Sequence, residues 1–264
     1  KYTMQDNKLI AIAFFLLLLI ACWWWLFFKK KRPKTTTFPT PWRSILTKKV
    51  AFYMELSAAE KLRFEESVLL FLDKVSITGI DTGLNDTDKL LVAASAVIPL
   101  FGFPGWRYRN LREVLLYAGP FNQDYETEQG KARNILGMVG SGSMNHMMIL
   151  SKPALHQGFE EQRSLHHVGI HEFVHLLDKA DGSTDGHPEA LLPPPLLSPW
   201  VKLMHREIAA IKAGRSDINV YGSTNEAEFF SVVSEYFFQQ PERLEKNHPA
   251  LFDMLEKIFR QDLA

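Results

Sequence analysis

The chain has 264 residues, the length of one or two domains, and its 30 basic and 30 acidic side chains leave no net charge. Residues 1–43 hold eight Lys or Arg and one acid, so residues 44–264 hold 22 basic and 29 acidic side chains. This acidic balance argues against direct nucleic-acid binding. The single cysteine, Cys22, leaves residues 44–264 without disulfides or thiolate metal ligands, which fits a reducing compartment.

An apolar run near the start predicts a membrane span. Residues 9–28 are 20 uncharged and mostly apolar residues, and a helix of that length spans about 30 Å, the hydrocarbon thickness of a bilayer. Three tryptophans, residues 23–25, suit an interfacial belt, and the basic cluster at 29–32 places that flank in the cytoplasm. We therefore expect a short tail at 1–8, a transmembrane helix at 9–28, a basic and Pro/Thr-rich linker at 29–43 and a domain at 44–264. The expected location is the inner membrane, single-pass, with that domain in the cytoplasm.

Two other interpretations of residues 9–28 fit less well. A cleaved signal peptide is disfavoured because the apolar run is too long, the charges lie on the wrong side and no small-residue cleavage site follows. A core helix of a soluble protein is disfavoured because 20 residues without a polar face fit poorly in one.

Periodicity in residues 44–264 predicts mostly helices. Ser57 and Glu60 have capping-box spacing, so we expect a helix from there to about Lys74. Short apolar runs at 114–117, 135–139 and 147–150 predict strands. Further helices are expected at 87–98, 162–179, 200–213, 226–238 and 250–259, whereas prolines between 193 and 199 should keep that segment extended. The fold class is therefore α+β, mostly helical with a small β-sheet.

A short pattern, His171-Glu172-Phe173-Val174-His175, predicts a metal site. Residues i and i+4 share a helix face, so the two imidazoles can bind one ion, and Glu172 lies where it can reach a metal-bound water. The alternative is a pair of ordinary core histidines. It is disfavoured because the polar residues lie on a largely apolar helix, where ionisable groups are costly unless paired or metal-bound.

A catalytic zinc needs a third protein ligand and one open position. Glu228 and Glu235 lie seven residues apart on the predicted helix 226–238, so they share a face that can meet the first helix. Either glutamate can be the ligand on geometry alone. Asp178 lies on the same helix face as His171 and His175, so it either orients a ligand imidazole or makes a helix-end contact.

The two motif stretches together resemble the Mlc titration factor A family of zinc peptidases, which is related to the catalytic domain of anthrax lethal factor. The resemblance rests on His-Glu-Phe-Val-His-x-x-Asp at 171–178 and on Tyr221-x6-Glu228-Phe-Phe-x-Val-x-Ser-Glu-Tyr-Phe-Phe at 221–238. It covers roughly residues 44–264 and implies a zincin-like metallopeptidase domain. The apolar run at 9–28 is an addition to the family pattern.

The resemblance implies a role for each matching residue. His171, His175 and Glu228 match the ligands of one zinc ion per chain, and Glu172 matches the general base. Tyr221 matches a tyrosine that hydrogen-bonds the oxyanion, and Glu235 then supports a ligand from behind. Some members carry an upstream histidine that blocks the zinc in a resting form, and this chain has Asn134 there.

The function expected from these residues is a membrane-anchored, zinc-dependent peptidase acting on a peptide or protein substrate. The alternative is a zincin-fold binding protein that sequesters a repressor of the Mlc type with little or no proteolysis. Glu172 favours the enzyme, because a purely structural zinc site has no use for a base beside its ligand.

Overall fold

A four-stranded sheet and a set of helices make up the structure, a computed structural model. It describes residues 37–121, 135–140, 145–160 and 164–264. Residues Phe38–Ala264 form one compact unit. That unit includes residues 38–43 of the predicted linker, and Phe38 is buried in its core.

The sheet is mixed, with strands in the order β1-β2-β4-β3. Strands β1 (Ser76–Ile80), β2 (Glu113–Tyr117) and β4 (Met147–Ser151) run parallel, and β3 (Gly137–Val139) is antiparallel to β4. Leu116 and Leu150, neighbours across β2 and β4, are fully buried. Among the described strands β3 pairs with β4 alone, and it contacts the helix that carries His171.

The α-helices of the described residues are α1 (Thr40–Lys49), α2 (Ala51–Glu55), α3 (Ala58–Lys74), α4 (Asp86–Leu100), α5 (Lys152–Glu160), α6 (Val168–Asp178), α7 (Pro194–Lys212), α8 (Glu226–Gln239), α9 (Pro241–Asn247) and α10 (Pro249–Phe259). Helix α3 begins with the predicted capping box, in which Ser57 Oγ accepts from Glu60 N–H and Glu60 accepts from Ser57 N–H. Asn85 and Asp88 form a second capping box at the start of α4.

Helix α6 lies between α4 and α8, and this packing positions both motif stretches. It crosses α4 at Gly169, where an added Cβ would lie 2.2 Å from Ser95 Oγ, so glycine permits the close approach. Helix α8 is held by buried aromatic rings, with Phe230 packed against Trp200 and stacked on Phe259. The faces of α6 and α8 that carry the ionisable motif residues therefore meet each other.

The predictions for α3, α8 and α10 and for strands β2 and β4 are confirmed to within two residues at each end. The motif helix begins at Val168, not at residue 162, because His167 caps it by accepting from Ile170 N–H. The extended segment expected at 193–199 is wrong. Pro194 and Pro195 occupy the first turn of α7, where a missing N–H costs nothing.

The predicted membrane span is also corrected. No helix among the described residues is long and apolar enough to cross a membrane, so the predictions of a transmembrane helix and of an inner-membrane location are withdrawn. Residues 9–28, on which that prediction rested, lie outside the described residues.

Candidate metal centre

Three side chains from two helices converge on one point. His171 and His175 lie one turn apart on α6, and Glu228 lies in the first turn of α8. His171 Nε2 is 3.0 Å from Glu228 Oε2 and 3.1 Å from His175 Nε2, and His175 Nε2 is 3.5 Å from Glu228 Oε2. Ligand atoms arranged tetrahedrally at zinc distances lie roughly 3.3–3.5 Å from one another. These three atoms therefore fit around a single ion, and no other such group occurs among the described residues.

The charges of the site also suit a divalent cation. Burial disfavours a charged His171 imidazole, but the carboxylates of Glu228 and Glu235 outweigh burial and raise its pKa to about 10. Burial also works against the Glu228 carboxylate, yet the two histidines hold its pKa far below the ordinary range. The site therefore holds an ionised carboxylate beside two imidazoles. Binding of a metal ion requires His171 to lose its proton.

Glu235 holds His171 from behind. Its Oε1 is 2.7 Å from His171 Nδ1, and its Oε2 accepts a hydrogen bond from the His167 backbone N–H. When His171 loses its second proton to bind a metal, a proton kept on Nδ1 leaves the Nε2 lone pair free for the ion, the arrangement found around metal-binding histidines. The sequence left Glu228 and Glu235 as alternatives, and the structure places them on opposite nitrogens of one imidazole.

Ser231 does for His175 what Glu235 does for His171, and the sequence analysis missed it. Its hydroxyl donates to the His171 carbonyl oxygen at 3.3 Å and lies 3.2 Å from His175 Nδ1. Because the hydroxyl hydrogen is used, Ser231 Oγ accepts from Nδ1–H, which leaves His175 Nε2 free for a metal. The signal was its place three residues after Glu228, on the same face of α8.

Glu172 is buried, with 6 % of its surface exposed, and burial raises the pKa of its carboxyl. Strand β3 closes over it at Gly137. A Cβ at that position would lie 2.6 Å from Glu172 Cγ and 2.7 Å from Oε1, so a larger residue would displace the carboxylate. Gly137 therefore belongs to the site through the space it leaves, and only the tertiary packing shows this.

Tyr221 lies beside the centre on a 3-10 turn, Val220–Ser223. Its ring centroid is 6.1 Å from that of His171, and half of the residue is exposed. Burial of its other half and the nearby Glu228 raise the pKa of its phenol to about 12. Asn219 Oδ1 accepts from the Tyr221 N–H, while the Asn219 amide contacts His166. The phenol is therefore protonated, accessible and held close to the metal ligands.

Asp178 hydrogen-bonds the loop that follows α6. Its Oδ2 accepts from Gly186 N–H at 2.8 Å, and its buried Oδ1 has no hydrogen-bond partner among the described residues. Burial raises the pKa of this carboxyl to about 7. Its contact therefore ties the end of α6 to the following loop. Asn134, the position of the expected blocking histidine, lies outside the described residues.

The α+β fold and the His171, His175 and Glu228 group define a metallopeptidase-like domain. Residues 24–260 match the family described as "Glucose-regulated metallo-peptidase M90", and the chain belongs to that family. The family assignment agrees with the resemblance drawn from the two motif stretches. The wider relation to anthrax lethal factor stays a prediction.

Curated relatives match along most of their length. The chain is 28% identical over 231 residues to an uncharacterized protein of Synechocystis, covering 84% of each chain. It is 28% identical over 195 residues to Mlc titration factor A of Pectobacterium atrosepticum, covering 68% of this chain and 70% of the relative. Mlc titration factor A of Klebsiella pneumoniae is 27% identical over 237 residues, covering 84% and 86%.

Proposed function

We propose that the protein is a zinc-dependent peptidase that hydrolyses peptide bonds. The observation that carries the proposal is the buried Glu172 carboxylate beside a three-ligand group whose atoms lie at tetrahedral spacing. Two imidazole nitrogens and one carboxylate oxygen are a donor set used by catalytic zinc sites, which keep a fourth position open. A bound zinc ion would supply Lewis-acid activation of a water molecule and of the substrate carbonyl.

Glu172 has the properties of a general base. Burial raises its pKa, so the carboxylate accepts a proton more readily than an exposed glutamate does. We infer that Glu172 takes the proton of the attacking water and then gives it to the leaving amine nitrogen. Gly137 leaves the space that this carboxylate occupies.

Tyr221 supplies a donor for the charge that develops on the substrate. With its pKa raised to about 12, the phenol keeps its proton at neutral pH and can donate to an oxyanion. Half of the residue is exposed, so the 3-10 turn holds its ring at the surface beside the metal ligands, where a substrate can approach from solvent. Glu235 and Ser231 act on metal binding and not on the substrate, because they hold the two imidazoles in the tautomers that can bind a metal.

The names of the relatives favour a second candidate function, capture of an Mlc-type repressor. A binding protein of this kind would use the surface of the domain and need no general base. The two candidates are compatible, since one chain can carry both a catalytic site and a docking surface.

The experiment uses the full chain loaded with zinc. Wild type and Glu172→Gln are compared for bound zinc per chain and for cleavage of a panel of short fluorogenic peptides. The proposal expects both proteins to hold zinc and only wild type to cleave, with Glu66→Gln on helix α3 as a matched control that cleaves normally. Equal cleavage by wild type and Glu172→Gln would remove Glu172 from the mechanism. If neither protein cleaves any peptide, binding without proteolysis becomes the better account.

A further inference from the structure

A pocket lies between α3, α4 and residues 101–108, and none of the metal-centre residues lines it. Its cavity volume is about 100 Å³ and it opens to solvent, which leaves room for a ligand of roughly seven to ten water-sized groups at about 10–15 Å³ each. Its walls are mostly apolar and include Phe71, Val97, Leu100, Phe103 and Trp106. A ligand for this pocket therefore needs a substantial apolar part.

The pocket is also electropositive. Arg63, Lys74 and Arg107 line it, and none of its lining residues is acidic. Lys74 is paired with Asp73 at 2.6 Å, and this acidic neighbour lies outside the lining of the pocket. The Arg63 guanidinium lies 4.0 Å above the Phe101 ring centroid, which holds it beside the apolar walls. An anionic head group would complement this charge.

The inner wall of the pocket touches the metal-binding helix from behind. The Phe173 ring lies 5.7 Å from Phe71 and 5.1 Å from Tyr108, measured between centroids. Phe173 is two residues from both His171 and His175, about 200° around the helix, so it points away from the metal side. An occupant of the pocket would therefore contact the same aromatic residues that support helix α6.

We propose that this pocket binds a small amphipathic carboxylate, with its apolar chain among the aromatic walls and its carboxylate at Arg63. A cavity of about 100 Å³ has room for a ligand of about ten heavy atoms and is too small for a protein segment. This binding site is inferred from the pocket and its charges alone, so ligand binding there does not depend on the proposed peptidase activity.

Isothermal titration of the full chain with octanoate tests the proposal. Ser67 lines the pocket and is only partly buried on α3, so Ser67→Trp fills the pocket with little damage to the core. Glu66→Trp adds the same side chain one residue away, at an exposed position that does not line the pocket. We expect Ser67→Trp to weaken octanoate binding by about tenfold or more and Glu66→Trp to leave it within about twofold.

The charge is tested separately with Arg63→Gln and with 1-octanol as a neutral ligand of the same chain length. Loss of Arg63 should weaken octanoate binding about fivefold and leave octanol unchanged, with the exposed Arg215→Gln as a control that changes neither. Melting curves of each variant establish that it is folded. Octanoate that binds Ser67→Trp as well as wild type, binds no better than octanol, or fails to bind wild type would overturn the proposal.

Discussion

Glu235 and Glu228 contact opposite nitrogens of the same imidazole. Glu235 Oε1 lies 2.7 Å from His171 Nδ1, and Glu228 Oε2 lies 3.0 Å from His171 Nε2. Two carboxylates seven residues apart on α8 therefore lie on opposite sides of one ring, and we propose that Glu235 orients the imidazole whereas Glu228 binds the metal.

Ser231→Ala should weaken zinc binding without unfolding the protein. The substitution removes the acceptor at 3.2 Å from His175 Nδ1, and loss of a hydrogen bond behind a ligand typically costs about 10–100-fold in metal affinity or activity. Competition against a chelator measures the affinity. Ser234→Ala is the matched control, because Ser234 is equally buried on α8 but bonds the Phe230 carbonyl. Equal zinc affinities for the two variants would show that Ser231 does not position His175.

Gly137→Ala should lower kcat and keep the metal. The new Cβ would meet Glu172 Cγ at 2.6 Å, so the carboxylate must shift, and a misplacement of about 1 Å can cost about 100-fold in rate. Steady-state kinetics and zinc content are measured together. Gly83→Ala serves as the control, since a Cβ there meets nothing within 4 Å. A Gly137→Ala enzyme with normal kcat would show that strand β3 does not determine the position of Glu172.

Tyr221→Phe should keep zinc and lose about 10²–10³ in kcat, the usual cost of an oxyanion donor. The loss should be the same at pH 6 and pH 9, because the pKa of the phenol is raised to about 12 and it stays protonated throughout. Rate profiles of wild type and variant across this range provide the measurement. A deficit that disappears toward pH 9 would mean that Tyr221 acts through its own ionisation.

Asp217 should stabilise the fold above about pH 4. Although burial opposes its charge, bonds from His248, Tyr236, Asn247 and Arg243 lower its pKa from 3.8 to about 2. A lowered carboxyl pKa contributes stability that is complete above the unfolded value of 3.8 and disappears as the pH falls through 2, here about 2 kcal/mol.

Denaturant unfolding of Asp217→Asn against wild type measures this contribution. The free-energy difference should be largest at pH 7 and about half as large at pH 3. Asp253→Asn, an exposed residue of α10, is the control and should change stability little at either pH. A difference that grows toward acid pH would reverse the assigned sign.

Local pattern predicted the ligand helix but could not predict what surrounds it. The i and i+4 spacing placed His171 and His175 on one face, because the helical repeat alone determines which residues of a helix share a face. Ser231 and Gly137 join the site only through the docking of α8 and β3 onto α6, which no single segment encodes. Asp178 shares the predicted helix face, yet its carboxylate bonds Gly186 N–H, because the loop after α6 returns to that side.

The predicted boundaries of helices and strands were wrong where the local sequence signal was ambiguous. His167 caps α6 although histidine is not a preferred capping residue, so the sequence placed the helix start too early. Strand β1, Ser-Ile-Thr-Gly-Ile, escaped prediction because it is short, contains glycine and lies at a half-exposed sheet edge. Prolines 194 and 195 suggested extended chain, although the first turn of a helix accepts them.

The most direct test of the account is the zinc content of the full chain after dialysis, in wild type, Glu228→Ala and Glu235→Ala. The account predicts one zinc per chain in wild type, none in Glu228→Ala, and retained but about 10–100-fold weaker zinc in Glu235→Ala. The reverse result, with zinc kept by Glu228→Ala and lost by Glu235→Ala, would contradict the assignment of His171, His175 and Glu228 as the metal ligands.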